Sequence, residues 1–221
     1  MKPTIKALLL TATVLLPSQT PSLAQADING LERQTAIWLE QMQSLPPEAQ
    51  EFLANEKHHL TNDFTVYPPA LLIPLQSLST HFTEPGEAMG YIACMNEAQV
   101  KKNVMKTEQG QQNLKNMLDS VPPEYRDFTQ EMADRSMNIT LREQVTACAC
   151  DNKHSWENIL TPAHRDSFNK IAQGISLTAE DRKTLATEAS SFTPLSSGYD
   201  PMECSLKAIG LYDEYLKIRG Y

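Results

Sequence analysis

The stretch that decides the fold is LREQVTACACDNKHSWENIL, residues 141–160, in which Cys148 and Cys150 stand one residue apart. Asn138-Ile139-Thr140 marks a break before it, and the stretch itself reads as helix. On a helix, positions 148 and 150 point about 200° apart around the axis. A bridge between them would close a very small ring and strain the local backbone, so each sulfur is expected to take a distant partner. The other two cysteines are Cys94 and Cys204. One face of the helix is therefore expected to meet Cys94 and the other Cys204, stapling a central helix to two neighbours. Which sulfur takes which partner is open at this level. Each long-loop bridge is worth about 2–4 kcal/mol, mostly by restricting the unfolded chain.

The same stretch admits a sharper reading. Cys150 and His154 are four apart, and Asp151, His154 and Glu157 follow at three-residue steps, so either set can share a helix face. Such a face can hold a cation, or pair a base with the group that orients it. The spacing argues against this. A one-residue gap is not the Cys-x-x-Cys of redox motifs and zinc knuckles, and no haem-attachment Cys-x-x-Cys-His occurs. A solvated polar face accounts for Asp151, His154 and Glu157 more simply. No metal or other cofactor is expected.

Residues 1–26 say what becomes of the sulfurs. Lys2 and Lys6 give a basic start, Ala7–Leu16 (ALLLTATVLL) an uncharged apolar run, and PSQTPSLAQA a polar, proline-containing end. That is the layout of a cleavable secretory signal, with small residues at Ala24 and Ala26 before the cut. A cut after Ala24 is nearly as good. A spanning helix needs roughly 20 apolar residues, and this run is about half that before Pro17, so an anchor is not expected. No cysteine stands near the cut to carry a lipid. The remainder, residues 27–221, is expected as one exported domain, periplasmic or extracellular, where four thiols form two disulfides.

Charge agrees with a free protein. The signal contains two lysines and no acid, so residues 27–221 keep 17 basic against 27 acidic side chains, a formal charge of −10. An acidic chain repels anionic membrane surfaces and lacks the basic charge that nucleic acid requires. Neither a nucleic-acid partner nor stable membrane insertion is expected.

Elsewhere in the chain strand alternation is confined to Phe64–Tyr67 and Leu78–Thr83, both bordering prolines, and helical periodicity is common. Leu31, Ile37, Trp38, Met42 and Leu45 repeat at helix spacing, and Pro46-Pro47-Glu48 ends that helix and opens another through Leu60. Residues 61–69 read as loop, and Ala70–Leu78, broken by Pro74, as short turns. A long helix starts at Glu87, with Met89, Ile92, Ala93, Val100 and Val104 on one stripe, weakening at Gly110 and resuming through Leu114 and Met117. Pro122-Pro123 and Thr161-Pro162 open two more, and Gly174 caps the second. Thr178 with Asp181 forms a capping-box pattern for a helix over 179–191. FTPLSSGYD (192–200) is loop, and Pro201 begins a last helix carrying Leu206, Ile209, Tyr212 and Leu216. The expected fold class is all-α, a bundle of about eight or nine helices.

Four helix starts echo one another: Leu45-Pro-Pro-Glu, Val121-Pro-Pro-Glu, Leu160-Thr-Pro-Ala and Leu177-Thr-Ala-Glu. Their unequal spacing excludes a solenoid repeat. The last two resemble the Leu-Thr-x-x-Gln motif of the small all-helical periplasmic stress chaperones of the Spy and CpxP type, with His164 and Asp181 where the glutamine would stand. The physics of helix starts is sufficient for the likeness: an apolar anchor, a threonine or proline cap, and acid at the positive end of the dipole.

No nucleophile elbow, phosphate loop, dinucleotide fingerprint or His-Glu-x-x-His pair occurs, and no catalytic residue is assigned. His58 and His59 diverge by about 100° on a helix. His164 and Arg165 read as exposed first-turn residues. The methionines are spread as core residues, and carboxylate pairs such as Glu40 with Glu48 or Glu203 with Glu214 are not singled out. The reading that remains is an exported helical protein that acts by binding a protein or peptide partner, as an adaptor, a client-binding factor or an immunity-type inhibitor. The rival is a metal-binding protein or hydrolase using Asp151, His154 and Glu157, with a free Cys150.

Overall fold

The computed structural model of the chain describes residues 25–47, 76–188, 200 and 202–221. Residues 1–24 of the secretory signal expected over 1–26, the helix expected from Glu48 to Leu60 with His58 and His59, the loop expected over 61–69, most of the Ala70–Leu78 segment and residues 192–199 of the expected last loop lie outside the described residues.

Among the described residues no strand occurs, and nine α-helices and one π-helical turn follow in order. They are α1 (Gln25–Gln43), α2 (Glu87–Met105), α3 (Glu108–Ser120), α4 (Pro123–Met137), α5 (Leu141–His154), α6 (Pro162–Ala172), α7 (Ala179–Glu188), α8 (Glu203–Ala208) and α9 (Tyr212–Arg219). The all-α expectation is thus met.

The central position of α5 is also as read. Thr140 caps it: the Thr140 hydroxyl accepts from the Glu143 N–H, and the Glu143 carboxylate accepts from the Thr140 N–H. Its far end continues into a π turn over Ser155–Ile159, where the Leu160 N–H donates to the Ser155 carbonyl at 2.9 Å. Cys94 of α2 bonds Cys148 and Cys204 of α8 bonds Cys150, with Cα–Cα distances of 5.6 and 5.7 Å. The two faces of α5 are therefore tied to different helices.

Helices α2 and α5 run antiparallel, as their links show. Glu87 O accepts from Asn152 Nδ2, Cys94 bonds Cys148, Gln99 Nε2 donates to Gln144 Oε1, and Lys102 Nζ donates to Ile139 O. The order rises along α2 and falls along α5. On the other side α1 lays Leu31, Thr35 and Trp38 into the main core with Tyr91, Met95 and Val145. Burial of such large apolar side chains is the chief favourable term. A second small core joins Leu206, Ile209 and Leu211 to Phe128 and Met132 of α4.

Local expectations are corrected in four places. The break after α2 falls at Lys106-Thr107, not at Gly110: Thr107 caps α3 by accepting from the Gly110 N–H. Gly110 is instead what lets the corner close, since a β-carbon there would stand 2.1 Å from the Val104 carbonyl oxygen. The expected last helix is two, because Gly210 at φ 73° breaks the run between α8 and α9. Ile37 and Val104, placed on core stripes, are about half exposed (47% and 51%). Thr35 and Tyr91 occupy the stripe positions that face inward, and neither is a simple hydrophobe.

Candidate functional site

A cleft of about 550 Å³ opens between α2, α5 and α8, closed at one end by the last turn of α4. Its floor is the Cys94–Cys148 bridge with Ala98 and Ala147; Ile139, Met137 and Ile209 close it, and Glu97, Lys101 and Asp151 stand on it as charged groups. Each disulfide holds one wall. Cys94–Cys148 ties the α2 wall to the floor, and Cys150–Cys204 ties the α8 wall to the same helix from its other face. Lys102 closes α2 onto the α4–α5 link through Ile139 O at 3.1 Å, and Arg135 Nη1 reaches Ile209 O at 2.8 Å, joining α4 to the end of α8.

The electrostatics of the cleft are mixed. Lys101 pairs with Glu97 one turn before it, an exposed pair that contributes little. Gln144 is buried; its Oε1 accepts from Gln99, and its Nε2 has no acceptor among the described residues. Apolar surface flanked by charges of both signs suits an amphipathic segment better than a small anion or cation.

A smaller cavity of about 340 Å³ lies further along the α2–α5 pair, between Gly86, Gly90, Asn152, Trp156, Ile159 and Phe168. The polar groups around it are already engaged. The Trp156 indole donates to Glu84 Oε1 at 3.3 Å, Asn169 bridges Glu84 and the Gly86 N–H, and Glu87 accepts from the Thr83 N–H at 3.0 Å. Burial pushes the Glu87 carboxyl up, partly offset by the Thr83 and Glu84 N–H groups that favour its charge.

The structure places the three residues of the rival reading along the end of α5 and the π turn that follows it. Asp151 lines the cleft, His154 is half-buried at the end of α5 beside Asn158, and Glu157 is exposed in the π turn, 3.8 Å from Lys153. Among the described residues no three His, Cys, Asp or Glu side chains are placed to hold a metal ion. Cys150 is not free, since its sulfur is bonded to Cys204. His164 is corrected as well: it is 2% exposed, with Nδ1 2.8 Å from the Thr161 hydroxyl. Thr161 and Thr178 are both N-terminal caps, the second with the reciprocal Asp181 bond expected of a capping box, so capping carries the echo between them. Sequence reasoning missed the cleft itself. Its only linear signal was the pair of cysteines pointing to opposite sides of one helix.

Comparison with protein-family models, with curated proteins and with solved structures returns no match to this chain.

Proposed function

We propose that this protein acts by binding, receiving an amphipathic segment of a partner protein in the cleft between α2, α5 and α8. The observation that carries the reading is that the helices on both sides of the cleft, α2 and α8, are covalently tied to α5 between them. Such a surface is ordered before any partner arrives, which lowers the entropy lost on association. The same two disulfides belong to an oxidising compartment, and together with the leader at residues 1–26 they support export to the periplasm or outside. Among the described residues no helix is long and apolar enough to cross a membrane. An adaptor, a client-binding factor or an immunity-type inhibitor would each use a cleft of this kind.

The test is site-specific photocrosslinking from Lys101, at the cleft edge, in the native host. The expected result is one defined adduct whose crosslinked peptide is amphipathic, abolished by Ala98→Glu at unchanged far-ultraviolet circular dichroism. An adduct that survives Ala98→Glu, or none at all, overturns the reading. Metal analysis of the purified protein decides the rival: stoichiometric metal that disappears in His154→Ala would replace binding by the Asp151, His154 and Glu157 site.

A further inference from the structure

The two disulfides differ in what can reach them. Cys148 is 2% exposed and sits in the main core, and Cys94 beside it is half-buried where the bridge lines the cleft. In the other bridge Cys204 is 3% exposed, but Cys150 is exposed to solvent. Thiol–disulfide exchange needs a thiolate to approach one sulfur in line with the bond it breaks, so access selects both the bridge and the sulfur attacked. Only one of the four sulfurs belongs to an exposed residue.

We propose that Cys150–Cys204 is a reducible latch on the α8 wall of the cleft, opened by a dithiol that attacks Cys150. A thiolate of the dithiol bonds Cys150 Sγ, the Sγ–Sγ bond breaks, and the electron pair leaves on Cys204 Sγ, which takes a proton from water. The second thiol of the reductant then attacks its own sulfur in the mixed disulfide. Cys150 leaves as a thiol and the reductant as a disulfide, so two electrons pass from dithiol to protein. Cys94–Cys148 stays closed throughout.

Opening the latch changes what holds α8. That helix has six residues and is broken from α9 by Gly210. Without the bridge α8 keeps its packing along α5, the small core of Leu206 and Ile209 against Phe128 and Met132, and the Arg135–Ile209 O bond. One wall of the cleft then loosens while the α2 wall remains tied. The effect on partner binding rests on the cleft reading, whereas neither measurement below requires a partner.

Oxidised full-length protein is treated with limiting dithiothreitol under native conditions, quenched with iodoacetamide at intervals and mapped by mass spectrometry. Cys150 and Cys204 are expected to be alkylated at least about tenfold faster than Cys94 and Cys148. Equal rates, the opposite order, or a Cys150–Cys204 bridge that opens only in denaturant would overturn the proposal. Amide hydrogen exchange on the half-reduced, alkylated protein is expected to rise about tenfold over residues 203–219 and to stay unchanged over 87–105. Unchanged exchange over 203–219 would show that the bridge is no latch. A Cys150→Ser, Cys204→Ser variant with the same exchange pattern controls for the bulk of the alkyl group.

Discussion

A β-carbon on Gly90 would stand 2.2 Å from Asn152 Oδ1, so α2 meets α5 here with no room for a side chain. Asn152 cannot simply swing aside, because its Nδ2 donates to the Glu87 carbonyl at 2.8 Å in a buried setting. Alanine at position 90 would gain about 1 kcal/mol of helix propensity, yet it forces the two helices apart or breaks that bond. Gly90→Ala is expected to destabilise by about 1–3 kcal/mol net, read by urea unfolding of the disulfide-intact protein. In Asn152→Ala the same substitution should be much better tolerated. A double-mutant cycle with no coupling would contradict the contact.

Thr35 and Tyr91 predict an asymmetric pair of variants. The Thr35 hydroxyl donates to the Leu31 carbonyl at 2.7 Å, so the Tyr91 hydroxyl is the donor in the 2.7 Å contact between them. Burial pushes the Tyr91 phenol up, which keeps that donor protonated. Tyr91→Phe leaves Thr35 with a partner and should lose only about 1 kcal/mol. Thr35→Val strands a buried phenol and should lose about 2–3 kcal/mol. Equal losses would mean the hydrogen-bond direction is wrong.

The same pair shows what was legible in the sequence. Helix starts were readable because capping is local: Pro123, Pro162 and the Thr178–Asp181 box each act within one turn. The opposed cysteines were readable because helix geometry fixes their angle before any partner is known. Faces were less so. Thr35 and Tyr91 point inward because they satisfy each other across 56 residues, and no periodicity of apolar residues can register that. His164 is buried for a similar reason, its Nδ1 meeting a cap hydroxyl that a hydropathy pattern does not count. The cleft lies further out of reach, since its walls come together only through packing between helices distant in sequence.

Gln144 gives a substitution expected to be nearly free. Its buried Nε2 lacks an acceptor among the described residues, and its Oε1 accepts the Gln99 bond. Gln144→Met removes an unsatisfied donor and releases a half-buried Gln99 that can turn to water. Stability is expected to change by less than about 0.5 kcal/mol, or to rise. Gln99→Ala strands the rest of Gln144 and should lose about 1 kcal/mol. Chemical denaturation of both variants checks the order.

Two carboxyls set opposite pH trends. Asp181 is held down from 3.8 to about 2, first by the Lys170 ammonium and then by the Thr178 N–H. A depressed group stabilises above its unfolded value, and that contribution is lost as pH falls from 3.8 through about 2. Asp181→Asn should therefore flatten the acid limb of the stability curve. Glu87 is raised, chiefly by burial, so its contribution is present at low pH and lost as pH rises through the folded value. Glu87→Gln is expected to raise Tm relative to wild type at about pH 8 and to lose that advantage near pH 4. A pH-independent difference would contradict the assignment.

The cysteines pair first with second and third with fourth, each across 54 residues. The oxidised chain is therefore two rings in series that share no residue, meeting at Ala149. Rings in series restrict separate lengths of the denatured polymer, so their entropic effects add, at about 4 kcal/mol each by loop-closure arithmetic. Crossed or nested connectivities lack this independence. Here either ring can be cut without altering the length enclosed by the other.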